Sequence, residues 1–194
     1  MHGLVNRSVE AFTRATYGED LWKRVLLRTR ADPNIFLTWS DCPNRVTYSL
    51  VVAAARLVGK SMNEYLEDIG SWLTRQEQIR RLLRFSGGNY RDFLESLQDL
   101  PDRIRLVIPD LLMPDLCVVL DSADCYRIAA SHHQPGFLQI IAGVLRGMAD
   151  DYGSLAIIFA SRNRITARVA QSEYAMKRHF SLDPSSPLRR EALR

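Results

Sequence analysis

Apolar side chains recur at helical spacing from the start of the chain. Leu4, Val5, Val9, Phe12 and Ala15 fall on one face and predict a helix over 4–16. Tyr17-Gly18 stops it, and Glu19-Asp20 opens a second helix to about Arg30, with its acidic residues at the positive end of the dipole. Asp32-Pro33-Asn34 and Asp41-Cys42-Pro43-Asn44 are turn clusters. An Ala/Val-rich helix follows over 47–58, with Thr47 as its N-cap. Ser61 and Glu64 form a capping box for the next helix, which reaches about Leu73. A polar helix from Arg75 to Phe85 ends at Ser86-Gly87-Gly88. Asn89 then caps a helix whose apolar stripe is Phe93, Leu94, Leu97 and Leu100. Pro101 cannot donate to residue 97 and disfavours helical geometry at Leu100, so the pattern predicts an end or a kink there.

Beyond residue 115 the period changes. Leu116–Leu120 and Cys125–Ala130 are strand-like and joined by Asp121-Ser122-Ala123-Asp124. Gln134-Pro135-Gly136 opens a helix from Phe137 to about Tyr152, which Gly153 ends. Leu155–Ala160 and Ile165–Ala170 form a second hairpin across Ser161-Arg162-Asn163-Arg164. Helices first, then strand-strand-helix-strand-strand, imply an α+β fold in which a helical lobe packs beside a small antiparallel sheet. The organisation expected is one domain over 1–174, with a helical lobe of about 1–60 and an α/β lobe of about 61–174. The Ser/Pro-rich residues in 175–194 read as a flexible tail.

Composition adds exclusions. At 46% hydrophobic and 25% charged, the 194 residues suit a soluble fold with a sizeable core. No run approaches the roughly 18 apolar residues of a membrane helix, and the N-terminus has no signal-peptide pattern, so a cytoplasmic protein without membrane association is expected. The net charge of +4 is scattered over Arg24, Arg28 and Arg30, then Arg80, Arg81 and Arg84, then the tail. These read as solvated faces rather than a nucleic-acid stripe. The three cysteines, Cys42, Cys117 and Cys125, lack metal-binding spacing and read as free, structural thiols, Cys117 buried in its strand. No nucleophile–base set, phosphate loop or carboxylate pair is visible, so no enzyme and no catalytic or metal-ligating residues are expected.

Several local patterns together resemble one family. They are Met1-His2-Gly3-Leu4-Val5-Asn6-Arg7, Tyr17-Gly18 with Leu21-Trp22, Thr47-Tyr48-Ser49-Leu50, Ile69-Gly70-Ser71-Trp72-Leu73, Asn89-Tyr90-Arg91-Asp92-Phe93-Leu94, Pro109, Met113-Pro114 and Gly136-Phe137-Leu138. In order and spacing they resemble the heme nitric oxide/oxygen-binding family, H-NOX, over about residues 1–170. The resemblance implies an α+β gas-sensing domain with heme held by a histidine on the helix after Asn89. It further implies a Tyr-x-Ser-x-Arg clamp on the heme propionates, and a signal passed through that helix to a partner such as a histidine kinase or a cyclic-di-GMP enzyme.

Carried over residue by residue, the resemblance shows two losses. The ligating position is Pro101, which has no lone pair to offer iron. Register cannot rescue it, because the histidines are His2, His132, His133 and His179. The clamp positions are Ala130, His132 and Gln134, and no Tyr-x-Ser-x-Arg occurs anywhere in the chain. The apolar pocket positions Leu4, Val5, Leu73, Leu97 and Val144 are kept, as is Pro114, which matches a proline that presses on the heme. The expectation is therefore a sensory or regulatory domain that does not hold heme in the conventional way. Heme is expected to be absent or weakly bound, with another apolar ligand as the candidate in its place. With no output domain in the 194 residues, signalling in trans is expected. The alternatives are a heme-based NO/O2 sensor with a substitute axial ligand, and a ligand-free interaction scaffold with a filled core. His132 and His133 read as surface residues rather than as that substitute.

Overall fold

The computed structural model describes residues 3–32, 42–85, 87–132 and 134–170. Pro33-Asn34 and Asp41 of the expected turn clusters, and the expected tail, lie outside them. Helices α1 (Gly3–Tyr17), α2 (Glu19–Thr29), α3 (Asn44–Leu57), α4 (Met62–Leu73) and α5 (Glu77–Arg84) come first. Then follow α6 (Tyr90–Glu95), a 3-10 turn over Ser96–Asp99, α7 (Leu100–Val107), β1 (Leu116–Ser122), β2 (Cys125–Ala130), α8 (Phe137–Tyr152), β3 (Ala156–Ala160) and β4 (Ile165–Val169). The strands form one antiparallel sheet in the order β1-β2-β4-β3. The fold is α+β, as the order of patterns predicts. No helix among the described residues is long and apolar enough to cross a membrane.

Local rules set most boundaries. Ser61 accepts from the Glu64 amide while the Glu64 carboxylate accepts from the Ser61 amide, closing the expected capping box on α4. That arrangement holds the Glu64 carboxyl below its usual pKa. Asn89 accepts from the amides of Arg91 and Asp92 at the head of α6. Gly153 ends α8 at φ 66°, in the left-handed region glycine favours. Thr47 is not an N-cap. Helix α3 begins at Asn44 after Pro43, and Thr47 lies inside it, buried, donating to Asn6 Oδ1 at 2.6 Å. A long-range partner for its hydroxyl overrides the local capping preference.

Two apolar clusters result. The first joins α1–α4 around Phe12, Trp22, Val25, Leu50, Tyr65 and Ile69. The second joins the sheet, α6–α7 and α8 around Tyr90, Phe93, Leu97, Ile128, Leu145 and Ile165. Helix α4 gives Tyr65, Leu66 and Ile69 to the first cluster and turns its Gly70 edge to α8. A Cβ on Gly70 would overlap the Ile140 carbonyl, and one on Gly143 would overlap the Glu67 carbonyl. Backbone meets backbone at this crossing, so α4 and α8 form the seam between the clusters. Arg146 of α8 pairs with Glu67 of α4 across it.

Candidate ligand pocket and signalling helix

Pro101 does not end the helical segment that starts at Asn89. Helix α6 stops at Glu95, a 3-10 turn spans Ser96–Asp99, and α7 continues to Val107 with Pro101 in its first turn. The physical reason lies in one carbonyl. Proline has no N–H to give to Leu97, and the Leu100 amide bonds to that oxygen instead, in the i→i+3 pattern of a 3-10 turn. The first turn of a helix tolerates proline because that N–H has no intrahelical partner there. The interruption thus falls before the proline, and the expected helix end becomes a change of winding. Leu97, Leu100 and Pro101 are all buried. Arg103 reaches back from α7 to the Ser96 carbonyl at 2.8 Å and bridges the interruption, and burial lowers its pKa.

This segment is tied to its surroundings at several points. Tyr90 donates to the Leu145 carbonyl at 3.0 Å, and burial pushes its phenol pKa up. Arg91 binds the Ala123 carbonyl at 2.9 Å and pairs with Asp124, linking α6 to the β1–β2 turn. Tyr126 meets Glu95 at 3.3 Å. Upstream, Asp151 of α8 takes Arg80 at 2.7 Å and Arg84 at 2.8 Å, with the Arg84 side chain only 8% exposed. Arg84 also lies 4.0 Å over the Tyr152 ring, whose hydroxyl donates to the Gly87 carbonyl at 2.9 Å. Two of the arginines expected on a solvated face are therefore committed to a half-buried ion network. Sequence reading missed it because Asp151 lies some seventy positions further along the chain.

The clamp positions sit around the end of β2. Ala130 is half-buried and pairs with Leu116. Ser131 exchanges bonds with Asp115, donating its amide at 2.8 Å and accepting the Asp115 amide on its hydroxyl at 3.0 Å. His132 is exposed, with Nδ1 3.3 Å from the Ser131 hydroxyl. Gln134 is half-buried and its backbone carbonyl accepts from Phe137. Arg105, joined to this turn through Asp115, is engaged by Asp102 and Asp115. His133 lies outside the described residues.

The apolar pocket positions lie on both sides of the seam. Leu4 and Val5 on α1 and Leu73 on α4 are half-buried, whereas Leu97, Pro114 and Val144 are buried. Leu97 and Val144 belong to the second cluster, and Leu73 packs against the first. A separate cleft of about 230 Å³ lies between the end of α4, the start of α5 and α8, lined by Ser71, Thr74, Arg75, Arg80, Asp150 and Asp151. Its polar walls do not suit an apolar ligand.

On the assignment the resemblance gives, these residues do not fit a conventionally ligated heme: its axial position is a buried proline, and its clamp positions hold an alanine, an exposed imidazole and an amide. No group of three or more His, Cys, Asp or Glu able to hold a metal ion occurs among the described residues. Cys117 is not the buried thiol expected. It is exposed, because the strand's alternation turns Leu116 inward and Cys117 to the solvent face of the sheet. Cys42 is buried and Cys125 half-buried.

Comparison with known proteins agrees with this architecture. A family model described as Haem-NO-binding matches residues 2–158. The soluble guanylate cyclase gcy-31 of Caenorhabditis elegans is 23% identical over 155 residues, covering 78% of this chain and 22% of its own length. The soluble guanylate cyclase 89Da of Drosophila melanogaster is 21% identical over 176 residues, covering 88% of this chain and 26% of its own length. The chain thus spans about a quarter of these relatives. An Fe(II) unliganded H-NOX protein from K. algicida superposes with a TM-score of 0.72 at 12% identity, over 90% of this chain and 99% of that one. An H-NOX protein from S. oneidensis in the Fe(II)NO ligation state gives 0.70 at 14% identity, over 88% and 100%.

Proposed function

The chain belongs to the Haem-NO-binding family, and from that premise we propose that it is a sensory and regulatory domain that does not hold heme in the conventional way and signals in trans to a partner protein. One observation carries the reading: the position the family resemblance gives to the axial ligand is Pro101, buried in the first turn of α7. A proline nitrogen in a peptide bond has no free lone pair, so iron at that place would lack its protein ligand. The second loss is independent. Ala130, His132 and Gln134 supply no guanidinium for carboxylate groups, and charge-assisted bonds of that kind are the strong ones.

The scaffold around the losses is kept. The apolar positions Leu4, Val5, Leu73, Leu97, Pro114 and Val144 remain, which suits an apolar ligand other than heme. The segment from Tyr90 to Val107 is fastened to α8 through Tyr90 and to the β1–β2 turn through Arg91. A shift of this segment would therefore reach the sheet, whichever ligand drives it. The partner proposed is a signalling enzyme such as a histidine kinase or a cyclic-di-GMP enzyme.

An absorbance spectrum of protein purified from cells supplied with heme tests the reading. The expected spectrum has no Soret band above that of adventitious heme. A sharp Soret band at one heme per chain would establish the alternative, a gas sensor with a substitute ligand. Organic extraction of the purified protein then addresses the pocket, and recovery of an apolar molecule at stoichiometric amount supports a replaced ligand.

A further inference from the structure

The sheet has a second face that the core does not use. In register across the strands, Val119 of β1 pairs with Arg127 of β2, Arg127 with Thr166 of β4, and Thr166 with Phe159 of β3. One step along, Ile157 pairs with Arg168. These side chains alternate with the buried Ile128, Ala167 and Ile158, so they lie on the solvent face. Phe159 is 71% exposed and Ile157 50%. Leu155, just before β3, is 69% exposed. Large apolar groups grouped along one strand are unlike the single exposed leucines that any surface carries.

Charge selects what covers this face. Phe159 stands opposite Thr166, with Arg168 on the outward position two residues along β4 and Arg164 two residues before it. Arg164 and Arg168 are exposed, and neither makes a side-chain ion pair among the described residues. Arg127 is neutralised by Asp121 at 2.7 Å, which leaves the β3–β4 side of the face basic. We propose that the solvent face of β3 and β4 docks an acidic, amphipathic segment of a partner protein, its apolar side chains on Ile157 and Phe159 and its carboxylates on Arg164 and Arg168. The proposal names the surface through which the domain reaches its partner, and rests on the reading that it signals in trans.

Other occupants fit less well. Addition of a strand to the edge of β3 would have to displace Arg146 of α8, which donates to the Ile158 carbonyl at 3.0 Å. A second copy placed face to face would set these arginines against one another. The chain after residue 170 carries more basic than acidic side chains and lacks the required charge.

The test uses the full chain labelled for amide NMR. The probes are a short amphipathic helix of leucine and glutamate, its leucine–lysine counterpart, and phosphatidylcholine vesicles with and without phosphatidylserine. The expected result is that the glutamate peptide shifts the amides around Ile157, Phe159, Arg164 and Arg168, and the lysine peptide does not. Phe159→Ser and Arg168→Glu should each weaken binding by about tenfold or more, with unchanged melting because both side chains are exposed. The proposal is overturned if the glutamate peptide fails to bind, if it binds the variants equally, or if only the anionic vesicles bind this face. The two failures are separable: a partner protein whose binding leaves the Ile157, Phe159, Arg164 and Arg168 amides unshifted overturns this surface and keeps the trans reading.

Discussion

Single residues show where local sequence speaks and where it does not. Ser61, Glu64 and Asn89 were legible because a cap is satisfied within three positions of itself. Thr47 was not, because Asn6 competes for its hydroxyl from another helix. Cys117 was misread for a similar reason: its neighbours are apolar, but a sheet with only one covered face sends alternate residues to solvent. Native-state alkylation followed by mass spectrometry should therefore label Cys117 first and leave Cys42 unmodified until the protein unfolds. Equal labelling of both would contradict the burial assigned to Cys42. Tyr65 offers a pH test. Burial against Phe12 and Tyr17 pushes its phenol from 10.0 up to about 12, outweighing the lowering effect of its hydrogen bond with Thr13. The fold favours the neutral phenol, so this contribution is intact below the unfolded value and is lost as pH rises through the folded one. Chemical denaturation should show Tyr65→Phe less stable at neutral pH by about 1 kcal/mol, the loss of one hydrogen bond. It should also lose less stability than the parent between pH 10 and 12.

At the scale of elements, the periods of apolar residues place helices and strands well, and the boundaries fail where proline or distant partners intervene. The segment after Asn89 is the instructive case. Pro101 signals a break, but the chain places the change of winding at Ser96–Asp99 and resumes as α7, since an i→i+3 bond rescues the Leu97 carbonyl. The α4–α8 seam is also invisible to periodicity. Glycine lowers helix propensity, yet Gly70 and Gly143 each let one backbone touch the other. Gly143→Ala should cost about 1–3 kcal/mol in urea denaturation through overpacking, whereas a change at an exposed helical position such as Arg24 should cost little. Asp151→Asn removes the charge shared by Arg80 and Arg84, and should cost about 3 kcal/mol because two half-buried guanidiniums lose their partner. A loss below the error of the denaturation curve would mean that water already screens this network.

For the whole molecule, the order of patterns was enough for an α+β fold, because a helix-rich half followed by two hairpins around one helix has few ways to bury its apolar faces. The candidate site was legible only as a set of substitutions. Sequence names the positions that the resemblance marks as changed, and the structure adds that Pro101 is buried, that His132 is exposed, and that the nearby Arg105 is already paired. The central claim is that both the axial ligand and the propionate clamp are gone from an otherwise retained scaffold. Heme titration of the purified protein, followed in the Soret region, tests it most directly. The unaltered chain should give only the broad absorbance of unbound heme. Pro101→His alone should bind weakly, and the combination with Ala130→Tyr, His132→Ser and Gln134→Arg should give a sharp, saturable band. A sharp one-to-one band from the unaltered chain would contradict the claim outright, and full binding by Pro101→His alone would show that the clamp does not matter.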